Sequence, residues 1–404
     1  MAEADAIGSS AERDSELADL LGDGPVEFPE LDAKEFQPWH RPRKQHVRDH
    51  QWIRELGYLA RDLGLQGTEF RYLTLPGDDL LDIRHIHDRI CVGRDLTLRY
   101  LGFNTSATTR DPSGAAMNSS IFAVRQLKNV HHESRVIVED IRKVGVERSV
   151  SWQTVRQAGK FHAVNLDLCG GFADGVSGPG LASYFRALEW IMSNQGSSRE
   201  ESLLFLTTRI DETSISDSAE DALTTLTVKL LQDCAQYAEQ MAQVFGIVQS
   251  DAATDLKSHL GPPTLFVLGL ISWLTLCAIR NGLSVSVKSL MSYRTGSDKG
   301  DDDIVSIALR LKPSPMLHPD PTGLSMAPSA QPSTEDKLCA QSAGVPLRVS
   351  ETQRVDQILK ADYNLFRNAY DSAVKLLGES GYDEAAYSDW VMSEAERYAT
   401  PPVT

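Results

Sequence analysis

Residues 70–104 read FRYLTLPGDDLLDIRHIHDRICVGRDLTLRYLGFN, and this stretch decides the fold. Phe70–Leu75 is an apolar, β-rich run closed by Pro76-Gly77. Leu80–Cys91 then sets Leu80, Ile83, Ile86 and Ile90 on one helical face, and Leu98–Phe103 is a second strand. Strand, helix and strand in that order form a β-α-β unit, which requires parallel pairing through a right-handed crossover.

The same alternation continues downstream. The spacing predicts a helix over 115–130, a strand over Arg135–Ile141, a short helix over Val150–Ala158 and a strand over Phe161–Leu168. A helix over 181–194 and a strand over Leu203–Thr208 follow. Beyond them lie a long helical stretch over 219–245, an apolar helix over 265–279, and two strands, Leu283–Arg294 and Ile304–Leu311. The polar segment TGSDKGDDD, residues 295–303, joins those two as a hairpin. The fold class expected is α/β: a mostly parallel sheet with helices on both faces and a C-terminal β-hairpin supplying one antiparallel strand.

Charge and composition divide the rest of the 404 residues. Residues 1–36 hold eleven acidic side chains against Arg13 and Lys34, more than half of the net −16, with few large apolar residues; they are expected to be a disordered acidic arm. Residues 37–65 are expected to form a basic amphipathic helix and 66–312 the α/β domain. Residues 313–349, rich in Pro, Ser and Ala, are expected to be a linker, and 350–404 to form C-terminal helices free to dock back or to bind a protein partner. The five cysteines are widely spaced, with no C-x-x-C, which points to a reduced, cytoplasmic protein without a disulfide framework. No basic and apolar leader opens the chain, and the run Leu265–Ile279 is short for a bilayer span, so no membrane partner is expected. His85-x-His87 and His131-His132-Glu133 lack a third ligand fixed by spacing, so no metal site is expected.

Five β-α units, a long apolar helix and a closing β-hairpin resemble the class I Rossmann-like S-adenosylmethionine-dependent methyltransferases over roughly residues 66–312. Glu139-Asp140-Ile141, ending the third strand, looks like the acidic pair that in that superfamily lies beside the cofactor's adenine. NLDLCGG, residues 165–171, stands where the superfamily keeps its substrate-facing motif. The glycine-rich turn after the first strand is reduced here to LTLPGDDLLD with Gly77 alone, and the second strand ends at Asn104 rather than at a carboxylate. The resemblance implies S-adenosylmethionine as cofactor, bound between Gly77, Asp78, Asn104 and Asp140, with Asp167 orienting the methyl acceptor.

The residues also carry a reading of their own. A carboxylate at the tip of a buried strand needs a reason, which singles out Asp167; its charge is expected to matter little for folding, whereas Leu166→Ala should cost about 2–5 kcal/mol. Arg41, Arg43, Lys44 and Arg48 gather between Trp39 and Trp52, a pattern that can grip phosphates and stack bases, so nucleic acid is an expected partner of residues 41–61. Methyl transfer to a nucleic acid or nucleotide-like substrate is therefore the leading expectation. Its competitor is a methyltransferase-fold scaffold, or binding subunit of a larger complex, that has lost the chemistry. The turn Leu75–Asp82 separates the two: open to a pocket it favours binding, filled by side chains it favours the scaffold.

Overall fold

In a parallel sheet covered on both faces, every strand must be apolar on both sides. LLFLTT and IVSIALRL meet that demand, and they lie side by side in the middle of the sheet in a computed structural model of the chain. The structure describes residues 34–105, 112–168, 170–173, 182–248, 256–296, 300–314, 322 and 332–393. Contacts divide the chain between Glu35 and Phe36, and all described strands and helices belong to the unit beginning at Phe36. The acidic arm and Cys169 fall outside the described residues, apart from positions 34–36.

Eight strands form one sheet: β1 Glu69–Thr74, β2 Thr97–Phe103, β3 Arg135–Ile137, β4 Ala163–Asp167, β5 Ser202–Arg209, β6 Leu283–Tyr293, β7 Ile304–Pro313 and β8 Gln353–Arg354. Their order is β3-β2-β1-β4-β5-β7-β6-β8. All pairs from β3 to β5 are parallel, whereas β7 runs antiparallel to both β5 and β6. The α/β fold class is thus as the alternation predicts, with the hairpin's last strand inserted between its first and β5. The two-residue β8 adds an edge that the sequence pattern does not disclose.

The helices in chain order are α1 Pro42–Val47, α2 Arg54–Asp62, α3 Leu81–Ile86, α4 Pro112–Arg125, α5 Val150–Ala158, α6 Tyr184–Gly196, α7 Asp217–Asp233 and α8 Ala235–Phe245. After them come α9 Leu256–Leu260, α10 Pro262–Arg280, α11 Thr334–Ser342, α12 Val345–Ser350, α13 Val355–Ala361, α14 Tyr363–Gly378 and α15 Glu384–Met392. One apolar cluster collects α6, α7, α8 and α10 against Leu73, Leu166 and Leu206 of the sheet. α10 is long and apolar enough to cross a membrane, yet most of it is buried inside this cluster.

A second cluster joins Val47, Trp52 and Leu56 from the N-terminal helices to Phe70 and Tyr100 of the sheet and to Phe366, Ala369, Leu376 and Tyr387 of the C-terminal helices. The two ends of this unit therefore share a core with the strands. Of the two alternatives for 350–404, the helices dock back: Leu359, Phe366, Ala369 and Tyr370 are buried against the chain's own elements. The linker is corrected, because α11 and α12 lie within 313–349 and the residue beyond it, Leu338 and Val345 packing on the first cluster.

Other differences have local causes. β3 stops at Ile137, because Asp140 caps a 3₁₀ turn over Ile141–Gly145 by accepting from Arg142 N at 2.8 Å. The stretch 219–245 breaks at Cys234, whose extended backbone separates α7 from α8. Cys234 is bonded to Cys339 of α11, 105 residues away, which corrects the reading of all five cysteines as reduced. A π-helical stretch, Arg48–Ile53, links α1 to α2. From it Gln51 donates to Ser306 O at 3.0 Å and Ser289 O at 3.3 Å, serving the register shift between Val287 and Ser289 in β6.

Two outcomes are expected. Closing so long a loop restricts the unfolded chain, so Cys339→Ser should cost about 2–5 kcal/mol in urea unfolding; coincident transitions for oxidised wild type and variant would refute the bond's role. His46, buried and stacked on His50 at 4.3 Å, has its pKa lowered to about 4 by burial first and by His50 second. Its folded pKa lies below its unfolded value near 6.5, so the stability it permits is complete above that value and declines as pH falls from about 6.5 through 4. A melting profile of His46→Gln should be flatter than wild type across that window, and an identical slope would show that His46 does not contribute.

Candidate functional site

In an open α/β sheet, ligands bind beyond the carboxyl ends of the strands, where the connecting turns leave a crevice. Here a cavity of about 680 Å³ occupies that position over β1, β2, β4 and β5. Gly77, Asp78, Asn104, Asp140 and Asp167 all line it, so the structure brings together every residue the sequence nominated for cofactor and catalysis.

The turn after β1 makes its room without a glycine series. Pro76 sits on Gly102, where a Cβ would lie 2.9 Å from the proline ring, so only glycine lets the turn settle so close to β2. A Cβ on Gly77 would meet nothing within 4 Å. Asn104, at the tip of β2, donates to Pro76 O at 2.8 Å and reaches Asp78 Oδ1 at 3.5 Å, so the amide holds the turn while Asp78 supplies the carboxylate that β2 lacks. Asp140 accepts from Arg142 through its backbone N and its guanidinium. Burial opposes ionisation there, but those hydrogen bonds outweigh it and keep the carboxyl below its ordinary range.

A buried acid lies beneath the turn. Asp82 accepts from Tyr72 Oη at 2.9 Å and Thr74 Oγ1 at 2.5 Å, and Tyr72 accepts in turn from Asn165 Nδ2 at 2.9 Å. Burial raises the pKa of Asp82, and Asp167 adds to the effect.

The basic helix provides the main correction. Arg43, Lys44 and Arg48 are at most 5% exposed and so do not form a solvated cationic face for nucleic acid. Arg43 pairs with buried Asp356 at 3.3 Å and donates to Arg294 O at 2.6 Å. Lys44 pairs with Asp167 at 2.5 Å, reaches Tyr293 Oη at 3.3 Å and lies 4.7 Å from the centre of the Trp52 ring. Arg48 lines the cavity. Arg41 rests on the ring of Trp390 at 4.0 Å. The reason is packing: Val47, Trp52, Leu56 and Leu59 drive the segment onto the sheet, and cations at i and i+4 on that side go in with them. His85, for its part, faces Asp49 at 2.7 Å.

Sequence reasoning missed Lys44 and Arg48 as cavity residues, and missed Arg142, Tyr184 and Tyr293 altogether. The spacing Lys44-x₃-Arg48 beside Trp52 was the one usable signal, and a solvated helix face would look the same.

A sheet ordered 3-2-1-4-5-7-6 with strand 7 antiparallel, a crevice at its strand tips and an acidic residue after strand 3 define the class I Rossmann-like methyltransferase fold. Within it, the chain belongs to the PP_RS20740-like family, whose model matches residues 33–392. No curated protein matches the chain in sequence. Among solved structures it is similar to Trm1 from Pyrococcus horikoshii in complex with S-adenosyl-L-methionine, at 14% identity and a TM-score of 0.33, covering 72% of this chain and 62% of that one. The chain thus spans less than two thirds of the length of that relative. The 23S rRNA methyltransferase ErmE matches at 11% identity and a TM-score of 0.29, covering 74% of this chain and 96% of that one. Loganic acid methyltransferase with SAH matches at 9% identity and a TM-score of 0.30, covering 69% and 98%. The fold assignment stands on strand order and register.

The Lys44–Asp167 pair revises the expectation for Asp167. Removing its charge strands a buried ammonium, and orphaning one member of a buried pair is costly. Asp167→Asn should therefore destabilise by roughly 2–4 kcal/mol, the lower end because Asp167 is a quarter exposed. Adding Lys44→Met should restore much of the loss in a double-mutant cycle. A near-neutral Asp167→Asn would mean that the pair holds nothing.

Proposed function

We propose that this chain is an S-adenosylmethionine-dependent methyltransferase whose acceptor is compact enough to enter the cavity over the strand tips. The supporting observation is that the turn Leu75–Asp82 opens on that cavity instead of being filled by side chains, which the scaffold reading would require. Its volume falls within the roughly 300–1,000 Å³ of small-molecule sites.

The donor set fits the cofactor. Asp78 and Asn104 together can accept from and donate to vicinal hydroxyls, and Asp140 offers carboxylate oxygens next to Ile141 and Phe103, while Asp167, paired with Lys44, stands on the acceptor side. When bound, the sulfonium supplies an activated methyl group and its own leaving group. The protein's share is then alignment, which confining both reactants in one crevice achieves by removing translational and rotational freedom. Asp82, kept protonated more readily by burial, is a candidate to hold a proton close to the reacting groups.

A nucleotide-like acceptor suits the aromatic walls formed by Trp39, Tyr184 and Tyr293. Wrapping of a long nucleic acid along residues 41–61 loses its support, since three of the four nominated cations are turned inward. Trp39 remains 43% exposed at the rim, open to a base or another flat ring.

Calorimetry tests the reading. Wild type should bind S-adenosylhomocysteine, and Gly77→Val, whose added carbons enter open space, should weaken it about tenfold or more while the melting temperature stays unchanged. No heat with wild type at millimolar ligand would refute the enzyme, and equal affinity in Gly77→Val would move the cofactor elsewhere.

A further inference from the structure

An ionised group withdrawn from water must find an opposite charge or pay a large desolvation cost, and arginine cannot escape by losing its proton. Among the cations lining the cavity, Lys44 has Asp167, Arg142 has Asp140 and Arg209 has Asp303. Arg48 is different. It is 5% exposed, and among the described residues no carboxylate lies within ion-pair distance of it. Its Nη1 donates to the neutral amide of Gln45 at 3.2 Å, and its Nε, buried from solvent, has no hydrogen-bond partner. The nearby Asp82 attracts Arg48 electrostatically without forming an ion pair with it, and its Oδ2 is taken by Tyr72 and Thr74. Arg48 also opens the π-helical stretch Arg48–Ile53, a distortion frequent at functional sites because it re-aims a side chain.

We infer that Arg48 is the receptor for a compact oxyanion, a carboxylate or a phosphate, carried by the acceptor substrate. The inference rests on the methyltransferase reading only for the word acceptor; the anion site itself follows from a buried guanidinium that lines the cavity without an ion-pair partner among the described residues. The donor-facing residues Gly77, Asp78, Asn104 and Asp140 stand at the tips of β1, β2 and β3. Arg48 instead stands one helical turn from Lys44, on the side of the cavity walled by Asp167 and Tyr293. A guanidinium presents several N–H groups in one plane, and although Nε is closed off from solvent, Arg48 lines the cavity, so its charge can meet an oxyanion there. Lys44, neutralised by Asp167, leaves Arg48 as the charge that selects an anion over a neutral molecule of the same shape.

The test uses the full chain, with Arg48→Gln and Arg48→Lys beside wild type, and inorganic phosphate and malonate as separate probes in an otherwise non-coordinating buffer. Phosphate or malonate should raise the melting temperature of wild type, and the better probe names the oxyanion. Arg48→Gln should lose that rise and Arg48→Lys should keep part of it. Ligand-free Arg48→Gln should melt no lower than wild type, because the substitution removes a buried charge that has no carboxylate at ion-pair distance. Affinity for S-adenosylhomocysteine should stay within about threefold. Three results would overturn the inference: no rise with either probe in wild type, an equal rise in Arg48→Gln, or a ligand-free melting temperature several degrees lower in Arg48→Gln. A large loss of S-adenosylhomocysteine binding in Arg48→Gln would also overturn it, by assigning the anion to the donor molecule. Should wild type bind no S-adenosylhomocysteine while phosphate or malonate still depends on Arg48, the methyltransferase reading fails and the anion site stands.

Discussion

The ion pair between Lys44 and Asp167 is the contact on which the site depends. It joins a helix outside the sheet to the tip of a central strand, and it does so where the ammonium cannot be served by bulk water. Burying an ammonium is tolerable only with a close carboxylate, so the pair fixes both the depth of α1 and the orientation of the Asp167 side chain. Trp52 lies over the same ammonium and packs toward Phe205 of β5, so the cation is held between a carboxylate and an aromatic ring. The arrangement of α1 over the sheet then determines which side chains face the crevice. Arg48 faces it as a consequence.

A second layer secures that placement from outside. α14 lies on α1, with Gln45 donating to Ser372 Oγ at 3.0 Å, and Tyr387 of α15 donates to His40 O at 2.7 Å. Tyr382 reaches Asp79 Oδ2 at 2.6 Å, which ties the C-terminal helices to the turn after β1. Burial pushes the Tyr382 phenol up, with Asp79 adding to the effect, so it remains a donor. The C-terminal segment therefore bears on the site although its helices lie outside the sheet. Elements far apart in sequence together hold one wall of the crevice.

The turn after β1 shows how a pocket can survive the loss of its glycines. Glycines serve there to bring backbone close to a ligand. In this chain the proline stacks on Gly102, the next residue leaves open space, and Asn104 holds the turn through a backbone carbonyl. Leu80 takes a left-handed conformation, φ 53°, to start α3 without a side-chain cap. A non-glycine in that conformation costs energy that the surrounding packing supplies.

Alternation of apolar runs was enough to determine the sheet, because strand and helix differ in period and a β-α-β repeat admits few topologies. It also placed Gly77, Asp78, Asn104, Asp140 and Asp167 at strand ends, where the crevice of such a sheet must open. What the sequence could not reveal was which side of a short cationic helix would face inward. An arginine that binds solvent and one that faces a buried crevice share the same spacing, and the difference lies in Asp167 and Asp356, 123 and more than 300 residues away. The same distance hid the Cys234–Cys339 bond and the return of the C-terminal helices onto α1. Those are long-range pairings, and only closure of the chain on itself brings such partners within a few ångströms.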